Sequence, residues 1–89
     1  MANYMLVHHK VKDFSAWKHG YDAHRSKRVE AGVAEKFVLQ DDNNPNDVIV
    51  LFKADDLKRA KKFAESADLR QSMEKAGVTD KPEIQYLHD

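Results

Sequence analysis

The chain contains no cysteine, so disulfide bonds, thiolate nucleophiles and cysteine–zinc sites are excluded. It has no net charge either, because fifteen Lys and Arg side chains balance fifteen Asp and Glu side chains. A nucleic-acid-binding domain normally shows a basic patch or stripe, whereas the short basic cluster at residues 24–28 is followed at once by Glu30. We therefore expect no nucleic-acid partner.

Long apolar runs are also missing. No stretch approaches the roughly 18 residues that a membrane span needs, and the N-terminus lacks a basic region followed by a long apolar core. We therefore expect a cytoplasmic protein with no membrane partner.

The 89 residues are predicted to form one domain, 1–89. A glycine-rich phosphate loop is excluded, because the three glycines stand far apart.

Four segments have the composition of β-strands. Their ranges are residues 3–11, 34–41, 47–54 and 83–88. Between the second and the third strand lies "DDNNPND", whose Asn and Asp side chains can close local turns. The third strand is apolar on both faces, which is typical of a strand that is covered on both sides. One face carries Val48, Val50 and Phe52, and the other carries Ile49 and Leu51.

Two segments have helical periodicity. The first begins after Asp13, which has the short polar side chain of an N-cap, and ends at Gly32. Residues at spacings of three and four form one stripe along it, consisting of Phe14, Trp17, Tyr21, His24 and Arg28. The second begins after residue 55 or 56, is broken or recapped at Ser66 and ends at Gly77. The apolar residues of this second segment are Leu57, Ala60, Phe63, Ala64, Ala67, Leu69, Met73 and Ala76.

The resulting order, β-α-β-β-α-β, is the ferredoxin-like split βαβ pattern of the α+β class. It predicts a four-stranded antiparallel sheet with the helices on one face. The helices can cover only that face, yet the third strand is apolar on the other face too. An exposed apolar face marks an interaction site, and a second copy of the same sheet is its simplest cover. We therefore expect a homodimer formed through the sheet face.

Four segments, which overlap the strands and helices described above, carry a family resemblance. They are "VKDFSAWK" (11–18), "DDNNPNDVIVLF" (41–52), "AESADLRQSMEKAGV" (64–78) and "KPEIQYL" (81–87). Together they resemble the dimeric α/β-barrel superfamily, which includes antibiotic-biosynthesis monooxygenase-like and cyclase-like proteins. The resemblance spans essentially the whole chain, and its motifs concern the fold and not a reaction. It implies a dimeric α/β barrel with sheets packed back to back, and a small-molecule pocket between sheet and helices.

Side chains alternate along a strand, so His8 and His9 must lie on opposite faces of the first strand. His9 shares its face with Met5, Val7 and Val11, and Val11 leads directly into the first helix. We therefore expect His9 beneath the helices, where a histidine is a candidate general base. The alternative is a core histidine bonded to a backbone carbonyl. His8 is expected between the sheets, with a hydrogen bond across the dimer.

Trp17, Tyr21 and His24 are candidate ligand-binding residues. We expect them to line a pocket for a small hydrophobic or aromatic ligand, with the indole N–H or the phenol as a polar handle. The alternatives are an ordinary core stripe for the two aromatic residues and a partly exposed helix histidine for His24. No metal site is expected, because adjacent His8 and His9 cannot converge on one ion.

Three functions are compatible with these features. The first is a small-molecule-binding homodimer that acts as a cofactor-independent monooxygenase-like or cyclase/isomerase-like enzyme on an aromatic or polyketide-like ligand. The second is a non-catalytic ligand-binding or stress-associated dimer, and the third is a structural dimerisation module. No cofactor is expected in any of them. The volume and the lining of the pocket separate the first two from the third.

Overall fold

The computed structural model describes residues 2–89. The elements, in chain order, are β1 (Asn3–Lys10), α1 (Phe14–Ala23), α2 (Arg25–Glu30), β2 (Val33–Gln40), β3 (Asp47–Ala54), α3 (Leu57–Ala64), α4 (Ala67–Lys75) and β4 (Glu83–His88). The strands form one antiparallel sheet in the order β2-β3-β1-β4. The structure thus confirms the predicted ferredoxin-like α+β fold.

The predicted helix that ends at Gly32 is in fact two helices, because the chain bends at His24 (φ −92°, ψ 6°). In a continuous helix, the carbonyl of Tyr21 would accept a backbone N–H one turn later. Here it accepts the N–H of His24 at 3.2 Å and Nη1 of Arg28 at 2.6 Å. A side chain therefore satisfies the last turn of α1, and a new helix begins.

The predicted helix ends are confirmed. Gly32 (φ 74°) and Gly77 (φ 87°) have the left-handed conformation that glycine adopts without strain. The side chains of Asp13, Asp56 and Ser66 each accept a backbone N–H as N-caps, so Ser66 separates α3 from α4 as expected. Within residues 2–89, none of the helices is long and apolar enough to cross a membrane.

The strand boundaries differ slightly from the prediction. β1 ends at Lys10, and Val11 forms an isolated bridge with Val78 instead of continuing the strand. β2 covers residues 33–40, one residue earlier than predicted, with a register shift between Glu35 and Phe37. β1 has a continuous register with both neighbouring strands, so side-chain alternation holds along its whole length.

The two faces of the sheet are different. The face below the helices forms the core, in which Met5, Val48 and Val50 are fully buried. On the other face, Phe37 is 56% exposed and Leu39 is 51% exposed. The remaining apolar side chains of this open face are Tyr4, Leu6, Ile49, Leu51 and Leu87. The third strand is therefore apolar on both faces, as predicted, and its outer side is uncovered in the single chain.

Candidate functional site

A cavity of about 60 Å³ lies between the sheet and the helices, and its walls are mainly apolar. The four predicted site residues, His9, Trp17, Tyr21 and His24, all line it. One of them comes from β1 and two from α1, and His24 stands at the bend that ends α1. The structure thus brings these four side chains to one cavity, while their roles stay predictions.

Rings and one cation stack along one wall of the cavity. His9 meets the Trp17 ring edge-on at 5.4 Å, and Trp17 stacks on Tyr21 at 4.8 Å between centroids. The guanidinium carbon of Arg28 lies 3.7 Å from the centroid of the Tyr21 ring. We call His9, Trp17, Tyr21 and Arg28, in this order, the aromatic row. His9 and Arg28 occupy its two ends.

His9 is 3% exposed, and neither ring nitrogen has a hydrogen-bond partner. The core alternative, a bond to a backbone carbonyl, therefore does not occur. Desolvation by burial lowers the pKa of His9 from 6.5 to about 4, and Asp80 offsets this only in part. The imidazole is neutral at pH 7, so it offers one N–H donor and one acceptor nitrogen to the cavity.

His24 contributes a second buried nitrogen without a partner, Nδ1. Its Nε2 lies 3.4 Å from a carboxylate oxygen of Asp68, in the first turn of α4, and its ring stacks on Phe63 of α3 at 5.9 Å. The side chain is 14% exposed, which fits the alternative of a partly exposed histidine, although His24 stands at the bend between α1 and α2 and not within a helix. His24 joins the end of α1 to the two helices that close the cavity.

His8 lies on the open face of the sheet, as the alternation predicted. Its Nε2 is 2.5 Å from Oδ1 of Asp47, and its Nδ1 is 3.9 Å from Oε2 of Glu83. His8 therefore has a close partner within its own chain. A hydrogen bond across a dimer stays a prediction.

Two polar residues of this region were not predicted as site residues. Arg28 is 6% exposed and lines the cavity. Glu35 accepts the Tyr21 hydroxyl at 2.8 Å, and burial together with this bond raises the pKa of Tyr21. Burial lowers the pKa of Arg28, which nevertheless stays charged at neutral pH. The signal for Arg28 was its place on the stripe, four residues after His24; nothing in the sequence pointed to Glu35.

The outer wall of the cavity consists of side chains from α3 and α4. They are Phe63, Ala64, Leu69, Ser72 and Met73. In the sequence these positions had only the periodicity of apolar stripes, and Ser72 had no signal. α4 has no fully buried side chain, so it covers the cavity without entering the core. Among residues 2–89, no three His, Asp or Glu side chains are grouped closely enough to hold a metal ion.

The ferredoxin-like fold of this chain is similar to that of solved structures described as putative antibiotic biosynthesis monooxygenases. Such a protein from Bordetella bronchiseptica superposes with a TM-score of 0.81 at 12% identity, over 99% of this chain and 96% of its own. A variant of SnoaB, a cofactor-independent oxygenase from Streptomyces nogalater, gives a TM-score of 0.74 at 9% identity, over 99% and 92%.

A conserved protein from Methanosarcina mazei is similar to the same extent, with a TM-score of 0.73 at 14% identity, over 98% of this chain and 91% of its own. No protein-family model matches the sequence, and no curated protein matches it significantly. At such identities the similarity establishes the fold, and the function must be argued from the site.

Proposed function

We propose that the protein is a small-molecule-binding homodimer whose cavity acts on a hydroxylated aromatic ligand as a cofactor-independent monooxygenase. The observation that carries the proposal is His9, a buried neutral imidazole with two unpartnered nitrogens in an apolar cavity. Buried polar groups are normally hydrogen-bonded, and an unpaired one calls for an explanation such as catalysis or a ligand. SnoaB, which has this fold, is a cofactor-independent oxygenase.

The chemistry needs no reductant from outside. A diphenol and O₂ give a hydroxyquinone and water, because the ring supplies the electrons: one oxygen atom enters at a C–H carbon and the other leaves as water. The acceptor nitrogen of His9 takes the proton of the ligand hydroxyl, which makes the ligand ring electron-rich enough to react with O₂. With a pKa of about 4, His9 holds this proton only while the negative charge of the ligand lies beside it.

A ring-sized ligand requires one wall to move, because about 60 Å³ is far below the roughly 300 Å³ or more of typical ligand pockets. We propose that α4 is this wall, because none of its side chains is fully buried. Its C-terminal end is attached to the chain near β1, since the N–H of Lys12 donates to the carbonyl of Gly77 at 2.9 Å. Its N-terminal end meets α1 through the 3.4 Å contact of His24 with Asp68. We propose that ligands enter at this end.

The dimer is proposed on the open face of the sheet. The chain exposes 5975 Å², whereas a folded monomer of this mass exposes about 5,400 Å². The excess is accompanied by large apolar side chains on one face, among them Phe37, Leu39 and Leu87. A second copy is the occupant that offers the same apolar surface in return, and two such sheets would form the dimeric α/β barrel.

A second candidate function is a binding protein without catalysis. The low pKa of His9 favours it, because a general base works best when its pKa lies near the working pH. In this function His9 would form a hydrogen bond with the ligand but would not take a proton from it. The cavity would then select a ligand, and no product would form.

The test is oxygen consumption with a panel of diphenols and quinols, alongside binding followed by the fluorescence of Trp17, the only tryptophan. We expect the wild type to consume oxygen, and we expect the rate of oxygen consumption to be at least tenfold lower in His9→Leu. His19→Leu is the control, because His19 is exposed and does not line the cavity. Binding without oxygen consumption would support the second candidate, and the lack of any binding would contradict both.

A further inference from the structure

Arg28 is a buried cation without an ion pair. It is 6% exposed, and no carboxylate of residues 2–89 lies within 4 Å of its guanidinium. Within the described residues, its one hydrogen bond goes to the backbone carbonyl of Tyr21. The charges of Glu35 and Asp22 both favour the charged form of Arg28, but neither carboxylate is within ion-pair distance, and that of Glu35 accepts the Tyr21 hydroxyl. Buried charges are normally paired, so this guanidinium calls for a counter-ion from elsewhere.

Arg28 forms a boundary between two spaces of different character. On one side is the apolar cavity, and among its described lining residues none is Asp or Glu. On the other side is a polar crevice of about 350 Å³, whose wall contains Asp22 and Glu35. An anion in the crevice would meet these two carboxylates, whereas an anion in the cavity would meet no negative charge. The cavity is therefore the favourable side for an anionic group.

We infer that the ligand of the cavity carries a carboxylate that pairs with Arg28. This inference rests on the proposed ligand-binding function and adds the class of ligand: an apolar or aromatic carboxylic acid. The planar guanidinium matches a carboxylate in a two-bond geometry. The apolar part of the ligand lies against Trp17 and Phe63, and a ring hydroxyl is directed to His9 at the other end of the aromatic row. Arg28 is then a specificity-determining residue.

The experiment compares ligands of equal shape and different charge. Benzoate is paired with benzamide and butyrate with butyramide, and binding at pH 7 is followed by Trp17 fluorescence. We expect each carboxylate to bind at least tenfold more tightly than its amide. Arg28→Met should reduce this preference to less than twofold. Arg25→Met is the matched control, because Arg25 lies on the same helix and lines the crevice but not the cavity.

Each outcome decides one of the two proposals. Equal affinity of acid and amide for the wild type would overturn the inference and leave the ligand cavity standing. A preference that survives in Arg28→Met would also overturn it, because the anion would then bind elsewhere. If no probe binds, the ligand cavity itself is refuted. If Arg28→Met fails to fold, Arg28→Lys replaces it: we expect the preference to fall at least threefold there and to stay unchanged in Arg25→Lys.

Discussion

The rings of His9 and Trp17 meet in a T-shaped arrangement, with centroids 5.4 Å apart and planes inclined at 71°. This contact buries the imidazole, but it satisfies neither ring nitrogen. The aromatic contact of His9 therefore stabilises the fold, whereas the loss of hydrogen bonds by its ring nitrogens destabilises it. The first two predictions below follow from that imbalance.

His9→Leu is expected to stabilise the folded chain. A buried polar group without a partner costs about 1–3 kcal/mol, and leucine has a similar volume without polar atoms. The free energy of unfolding from urea denaturation at pH 7 should rise by about 1 kcal/mol. His19→Leu, at an exposed position, should change it by less than about 0.5 kcal/mol. A clear loss of stability in His9→Leu would mean that the imidazole has a hydrogen-bond partner after all.

The stability of the protein should depend on pH through His9. The pKa of His9 is about 4 in the folded chain and 6.5 in the unfolded chain. Between these pH values the unfolded chain therefore binds more protons. Above pH 6.5 His9 is already neutral before folding, whereas at lower pH it must release a proton to become buried, so the free energy of unfolding decreases as the pH falls towards 4. The loss amounts to about 3 kcal/mol. Urea denaturation across this range should show it in the wild type and not in His9→Leu.

The two glycines with positive φ should differ in their tolerance of a side chain. A Cβ at Gly77 would have its nearest neighbour at 3.7 Å, so Gly77→Ala should cost only the conformational strain, about 1 kcal/mol. A Cβ at Gly32 would lie 3.1 Å from Arg59 and 3.2 Å from Asp55. Gly32→Ala should therefore lower the melting temperature further than Gly77→Ala. The reverse order would contradict this account.

Phe37→Lys should dissociate the proposed dimer without unfolding the chain. Phe37 is already 56% exposed in the single chain, so a charge there harms only a partner sheet that covers it. Sedimentation at micromolar concentration should show a dimer for the wild type and a monomer for the variant. Val29→Lys is the control, because Val29 is 65% exposed but lies on α2 and not on the sheet. A monomeric wild type would refute the dimer.

Local sequence determined much of this molecule. Asp13, Ser66 and Gly77 act on the backbone of their own turn, so the chain itself marks where helices begin and end. The period of two along β1 placed His9 under the helices and His8 on the open face, because no bulge interrupts the strand.

Only the tertiary structure decided the rest. The bend at His24 depends on Arg28 reaching the carbonyl of Tyr21, which a helical pattern does not reveal. The pKa of His9 depends on burial by side chains from several elements, and the missing ion pair of Arg28 depends on which carboxylates the fold brings near. Periodicity specifies the face on which a side chain lies, whereas distances between remote segments and access of water arise only when the elements pack together.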